Sequence, residues 1–294
     1  MKGKAFKAIT KRRYRKMLVA IDGSESGFNA LRQSFRLAAE EKSWISVVCV
    51  VPSYEGDLDM TGIGNIMEAM RRPCEEALEE AKRIAKESGA LIKPVCEEGE
   101  AHRRIVDLAE AENCELIIMG RRGMSRLERA LMGSVTARVI GYSQRDILVI
   151  PRNAEVGWKK ILLATDGSKY SKAATERAID FAEAYGGELK VVAVVDLPDE
   201  FYGESPDAVD EIIKKAHGFV EAAKKKAEAA GIKAETFVRE GETHRMVLDI
   251  AEDLGANAIV MGSHGRTGLR RLLMGSVVEK VIGYAACPVL VVKG

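Results

Sequence analysis

Cysteine is scarce in this 294-residue chain: Cys49, Cys74, Cys96, Cys114 and Cys287 are the full set, odd in number and without a CxxC pair. Most sit inside apolar runs, which reads as buried free thiols in a reducing compartment and not as a disulfide framework. Four histidines with no HxH or HExxH spacing give no metal-site signature. No stretch approaches the roughly 20 apolar residues of a membrane span. Lys plus Arg total 45 against 44 for Asp plus Glu, so there is no global field to draw in nucleic acid or an anionic membrane. Any anion site must be local. No GxGxxG follows the first strand pattern, which argues against NAD, and GxxxxGK[ST], SGGxDS and HIGH-type signatures are missing too. Glutamine occurs only at 33 and 144, a weak sign, beside abundant Lys and Glu, of a heat-adapted composition.

The first residues, MKGKAFKAITKRRYRK, are basic and lack an apolar h-region, so they do not read as a secretory signal. Residues 1–15 are expected to form a basic arm, either solvated or in contact with an anion or partner. Together with the thiols, this points to a cytoplasmic protein.

What the chain does contain is one unit written twice. MLVAIDGS (17–24) answers ILLATDGS (161–168), VVCVV answers VVAVV, and GEAHR (99–103) answers GETHR (241–245). Asp22 and Asp166 lie 144 positions apart, and Gly120 and Gly262 lie 142 apart, a difference of one small loop change. The expected domains are therefore 16–151 and 159–294, joined by RNAEVGW.

Within each half, short β-branched runs alternate with segments of helical period, the pattern of βαβ units on a parallel sheet. In the first half the strands are expected at 17–21, 45–51, 91–96, 115–119 and 146–150. Helices are expected near 25–41, 66–88, 101–112 and 134–142. The second helix of each half stops at Gly89 or Gly231, where glycine can turn left-handed. Right-handed crossovers then make two doubly wound, parallel, five-stranded α/β sheets of order 3-2-1-4-5. Strands 1 and 4 are neighbours in that order, and ligands of open α/β sheets bind at such a switch point. Asp22 and Gly120 converge there. The last strands, 146–150 and 288–292, are expected to meet across an approximate two-fold as an intrachain pseudo-dimer, and such chains can pair again as a homodimer.

The most specific signal is Gly-x2-Gly-x9-Gly-Ser, present as GRRGMSRLERALMGS from Gly120 and GSHGRTGLRRLLMGS from Gly262. Gly120 and Gly123 allow bare backbone to approach a ligand. Ser134 is expected to N-cap the fourth helix, whose unpaired N–H groups make an anion site suited to phosphate. Arg121, Arg122, Arg126 and Arg129, and in the second half Arg266, Arg270 and Arg271, offer charge-assisted bonds. Plain turn chemistry is the competing reading, as is simple capping of the next turn by Asp22 and Asp166.

Asp-Gly-Ser after strand 1, IIMG and IVMG at strand 4, the two glycine loops and the terminal CPVLVVK resemble the universal stress protein family, here as a tandem of two domains covering nearly the whole chain. The resemblance implies a HUP/Rossmann-like fold, dimerisation through the last strand, and an adenine nucleotide (ATP, ADP or AMP, with or without Mg²⁺) in each crevice. It implies that Asp22 and Asp166 meet the adenosine and that backbone at Val50 and Val194 reads the adenine edge. Gly120, Gly123, Gly133 and Ser134 would hold ribose and phosphates in one half, and Gly262, Gly265, Gly275 and Ser276 in the other, with the amides of Val135 and Val277 assisting. The first half departs from the pattern: it has Arg121 and Arg122 where the second has Ser263 and His264, and Met124 and Arg126 where the second has Arg266 and Gly268. Equal occupancy of the two sites is thereby left open.

His102 and His244, in matching first-turn positions, are expected to be exposed packing or capping residues. The segments PSYEGDLDMTGIGN and DLPDEFYGESPD read as mobile connectors, or alternatively as lids or partner contacts. GNIMEAM reads as core face of the second helix. Three functions remain: a nucleotide-binding regulator whose state alters contacts with a protein partner, a weak ATP hydrolase or adenylyl-transfer enzyme, and a scaffold with one or both crevices empty. Phosphoryl transfer needs a positioned metal and a group to orient the nucleophile, and the sequence fixes no second carboxylate beside Asp22 or Asp166.

Overall fold

A computed structural model describes residues 14–53, 66–123, 132–265 and 274–294. The first half runs β1 (Lys16–Ala20), α1 (Glu25–Glu41), β2 (Trp44–Val51), α2 (Ile66–Glu87), β3 (Ile92–Glu98), α3 (Ala101–Ala111), β4 (Leu116–Gly120), α4 (Ser134–Tyr142) and β5 (Asp146–Ile150). The second runs β6 (Lys160–Ala164), α5 (Lys169–Tyr185), β7 (Glu188–Val195), α6 (Asp199–Glu204), α7 (Pro206–Ala229), β8 (Ala234–Glu240), α8 (Thr243–Asp253), β9 (Ala258–Gly262), α9 (Ser276–Tyr284) and β10 (Val289–Val292). Expected and observed boundaries differ by a residue or two, except for α6, a short helix folded from the segment read as a mobile connector. The corresponding residues 54–65, the lid candidate of the first half, lie outside the described residues, as does most of the basic arm.

Each half has the order 3-2-1-4-5, all parallel. The two sheets are one: the strand order is β3-β2-β1-β4-β5-β10-β9-β6-β7-β8. The join is antiparallel, with Val289 opposite Val149 and Val291 opposite Ile147. Two-fold symmetry requires this, since a strand meeting its own counterpart across such an axis must run the other way. Alternate residues of each strand supply opposite faces. Met17 and Val19 face α1 and α2, whereas Leu18 and Ala20 face α3 and α4, and the second half repeats the division with α5 and α7 on one face and α8 and α9 on the other.

Buried polar groups fix the join. Asp146, at the start of β5, accepts from the Tyr14 hydroxyl at 2.8 Å and from Arg177 Nε of α5 at 3.1 Å, and its other oxygen accepts from the Lys293 backbone at 2.9 Å. Tyr14, which falls on the arm side of the expected boundary, is therefore core. The linker is pinned as well: Asn29 donates to the carbonyls of Pro151 and Ala154, Gln33 accepts from the Val156 N–H, and the Trp158 ring stacks on Phe181 at 3.9 Å.

Two expectations are corrected. The five thiols are not all free: Cys74 of α2 and Cys96 of β3 form a disulfide, leaving Cys49, Cys114 and Cys287. Helix α2 lies across β2 and β3 and brings the two Cα atoms to 6.5 Å, inside the range a disulfide spans. The thiols thus lose their weight as an argument for a reducing compartment. His102 and His244 are buried, not exposed, because Tyr142 and Tyr284, at the ends of α4 and α9, lie over their rings with centroids 5.2 and 6.2 Å apart.

Candidate functional site

The Asp-Gly-Ser turn after β1 has a complete local explanation. Asp22 Oδ1 accepts from the Ser24 N–H at 3.1 Å, Gly23 takes a φ of +82°, and Ser24 Oγ caps α1 by accepting from the Gly27 N–H at 3.1 Å. The second half repeats it with Asp166 on Ser168 N–H, Gly167 at +77° and Ser168 on Ser171 N–H. The capping reading of these aspartates is therefore correct for one carboxylate oxygen of each. The other oxygen points across the crevice to the glycine loop. A Cβ on Gly123 would collide with Asp22 Oδ2, and one on Gly265 would stand 3.0 Å from Asp166 Oδ2.

The glycines divide into two kinds. Gly120 and Gly262 are demanded by the fold, since a Cβ there would press on the backbone of Ser26 at 2.8 Å or of Tyr170 at 2.6 Å, at the starts of α1 and α5. Gly133 and Gly275 are not. Their φ values are −64° and −67°, open to any residue, and among the described residues a Cβ would meet nothing closer than 3.5 Å. What glycine preserves at these two positions is space in the crevice.

Here the structure corrects the cap. Ser134 and Ser276 are the first helical residues, and the N-caps are Gly133 and Gly275, neither with a side-chain cap. The opening N–H groups of α4 and α9 lack intrahelical acceptors. The Gly133 N–H itself is occupied by the Arg121 carbonyl at 2.9 Å, and Thr136 Oγ1 bonds the Gly120 carbonyl, which fixes the loop against the helix.

These parts enclose a crevice in each half. In the first, of about 760 Å³ including its mouth, Asp22, Val50, Gly120, Gly123, Gly133, Ser134 and Val135 all line the wall; in the second, of about 720 Å³, Asp166, Val194, Gly262, Gly265, Gly275, Ser276 and Val277 do. These fourteen residues thus line the two crevices. Sequence reasoning missed the apolar side, Ile105 and Met119 in the first half and Val192, Val247 and Met261 in the second. Their signal was the inward alternation of β4, β7 and β9 and the second turns of α3 and α8. The crevice therefore combines an apolar slot with main-chain donors and a carboxylate.

The arginines part ways. Arg122 lines the first crevice, but Arg121 turns away and donates through Nη1 to the Ala285 carbonyl of the other half at 2.8 Å. Partial burial and the neighbouring Arg122 hold the Arg121 guanidinium below its ordinary pKa. Its counterpart Ser263 is buried, and His264 lines the second crevice with Nδ1 3.1 Å from Ser263 Oγ. Arg126, Arg129, Arg266, Arg270 and Arg271, with Met124 and Gly268, lie outside the described residues.

Comparison with known proteins finds one family domain twice in the chain. The model of the universal stress protein family matches residues 13–151 and again 157–293. A universal stress protein of Methanocaldococcus jannaschii is 41% identical over 149 residues, covering 49% of this chain and 87% of that protein. One from Mycolicibacterium smegmatis is 24% identical over 295 residues, covering 94% of this chain and 96% of its own. Among solved structures, a universal stress protein from Archaeoglobus fulgidus superposes with a TM-score of 0.72 at 24% identity, over 95% of this chain and 96% of that one.

Proposed function

The chain belongs to the universal stress protein family, with the domain present twice, and from that premise we propose that each half binds one adenine nucleotide and that the protein acts as a cytoplasmic regulator whose nucleotide state alters its contacts with a partner during stress. The observation that carries this reading is the pair of glycine N-caps, Gly133 and Gly275. Among the described residues nothing stands in the way of a side chain at either position, neither residue has a side chain with which to cap the helix behind it, and both face the crevice.

In this reading the phosphates lie against the opening amides of α4 and α9, at Ser134 and Val135 and at Ser276 and Val277, where the helix dipole favours negative charge. Gly120 and Gly123, and Gly262 and Gly265, let ribose and phosphates approach the backbone. Asp22 and Asp166 use the oxygen turned to the crevice for the ribose. The adenine lies in the apolar slot with its edge on the backbone of Val50 and Val194. Binding transmits a signal only by favouring one conformation over another, and the segments that follow the crevice residues Val50 and Val194 in sequence are the elements assigned to that change. The same carboxylates are the groups that would meet Mg²⁺ carried by a nucleotide.

Mass spectrometry of ligand released from freshly purified protein tests the proposal, with adenine nucleotide at one to two equivalents per chain as the expected result. Calorimetric titration of stripped protein with ATP, ADP and AMP should give heat for at least one of them; none for any would leave only the scaffold. Steady-state ATP turnover lost in Asp22→Ala or Asp166→Ala would establish the enzyme instead.

A further inference from the structure

Three of the five cysteines meet in one place, on the α2 face of the first half. Cys49 of β2 and Cys96 of β3 stand opposite one another in register, and the Cys74 sulfur of α2 lies 3.5 Å from the Cys49 carbonyl. The second half builds the same corner without sulfur: Ala193 and Val238 are the registered pair on β7 and β8, and Ala216 is the matching position of α7. Ala193 and Ala216 are buried there, and Val238 packs against the same core. Small apolar side chains thus satisfy the packing at all three positions. Sulfur in the first half adds only its chemistry.

We propose that Cys74 and Cys96 are a reversible dithiol–disulfide site, confined to the first half, that exchanges with low-molecular-weight disulfides and thiols. In the closing direction one thiolate attacks a sulfur of the small disulfide, forming a mixed disulfide and releasing one small thiolate, which takes up the proton lost by the cysteine. The second cysteine, as its thiolate, then attacks the protein-bound sulfur, forming the Cys74–Cys96 bond and expelling the second small thiolate, which is protonated. Two protein thiols and one small disulfide become one protein disulfide and two small thiols, so atoms and electrons balance. Cys96 is only partly buried and is the point of entry; Cys74 is enclosed and resolves.

The remaining thiols are shielded from this exchange. Burial pushes Cys49, Cys114 and Cys287 each up to about 11, and the thiolate is the reacting form. For Cys49 the Asp22 carboxylate adds to the effect. The closed bond pins α2, which emerges directly from residues 54–65, to the outer strand β3. The state of the bond thereby sets how firmly the first half, and not the second, holds its second helix.

The test is equilibration of the full chain in glutathione buffers of stepped ratio, acid quenching, and differential alkylation read by mass spectrometry. The expected result is a protein passing from five reactive thiols to three, with Cys74 and Cys96 alone changing label, and returning to five on reversal. Hydrogen exchange of α2 should slow in the oxidised form while α7 is unaffected, and the first-half unfolding transition should rise by roughly 5–10 °C. Cys74→Ala and Cys96→Val copy the second half, should fold, and should abolish all three changes; Cys49→Ala should leave them in place. Cysteines that stay reduced at every ratio, a bond that no thiol ratio opens in the folded protein, or a bond that includes Cys49 would each overturn the proposal.

Discussion

Arg121 and Ala285, one in the glycine loop of the first half and the other at the C-terminal end of α9 in the second, are joined by a 2.8 Å hydrogen bond from guanidinium to carbonyl. The contact ties the wall of one crevice to the far end of the helix whose first turn lines the other. A cation at a helix C-terminus also meets the negative end of the dipole. The two-fold is broken here, because the equivalent of Arg121 is Ser263.

Arg121→Ser, which gives the first half the residue of its twin, should therefore loosen the join between halves. A charge-assisted hydrogen bond in a half-buried setting contributes roughly 1–2 kcal/mol. The unfolding free energy from denaturant titration should fall by that amount, lowering the midpoint, while nucleotide retention at both sites persists. A midpoint unchanged within error would show the bond to be energetically idle.

The glycine N-caps give a sharper test. Gly133→Ala and Gly275→Ala each add one methyl group that the described residues accept at 3.5 Å or more, at a stability cost within about 1 kcal/mol for an alanine N-cap. Each variant should lose nucleotide from its own half alone, and the double variant should retain none. Full stoichiometry in the double variant, with an unchanged circular dichroism spectrum, would remove the first helical turns from the binding site.

Gly123 behaves differently. A side chain at this position reads from the sequence as an obstacle to phosphate, yet in the structure its Cβ runs into Asp22. Gly123→Ala should displace that carboxylate and with it the Ser24 turn. In an Asp22→Ala background the obstacle is gone, so the two substitutions should be markedly non-additive, with a coupling of roughly 1 kcal/mol. Additive losses in a double-mutant cycle would place the loop elsewhere.

The strand order, the antiparallel join and the crevice residues were legible because they depend on features that repeat: apolar runs of strand length, a left-handed glycine after Asp22 and Asp166, and a helix start at fixed distance from β4 and β9. What escaped the sequence depends on contacts between elements. Nothing near Cys74 or Cys96 announces that α2 will cross β3 at the height that brings them together. Arg121 reads as a phosphate ligand until the two-fold puts an unsatisfied carbonyl within its reach. His102 and His244 look like exposed first-turn residues until Tyr142 and Tyr284 cover them. The glycine caps were visible, but the serine beside each seemed the better cap, and only the backbone angles assign the role.

Lys293 supplies the pH test. Burial pushes its ammonium down to about 8, against the opposing pull of Asp146. Its backbone N–H bonds Asp146, and its Nζ donates to the Ile140 carbonyl. A base with a depressed folded pKa is protonated more in the unfolded chain between that value and about 10.5, so stability rises with pH across that window. Cys49, Cys114 and Cys287 act in the opposite sense: burial raises them from 9 to about 11, and stability falls as the unfolded chain loses those protons first. Tyr14, raised by burial and by Asp146, opposes further above pH 10. The lysine is therefore seen cleanly only by difference. Lys293→Met keeps the backbone bond to Asp146 and removes the titration, so wild type minus variant should climb between pH 8 and 10.5 by up to roughly 2 kcal/mol after allowance for partial solvent screening. A flat difference curve would mean that the ammonium reaches solvent and that the join between the halves holds no buried charge of its own beyond Asp146 and Arg177.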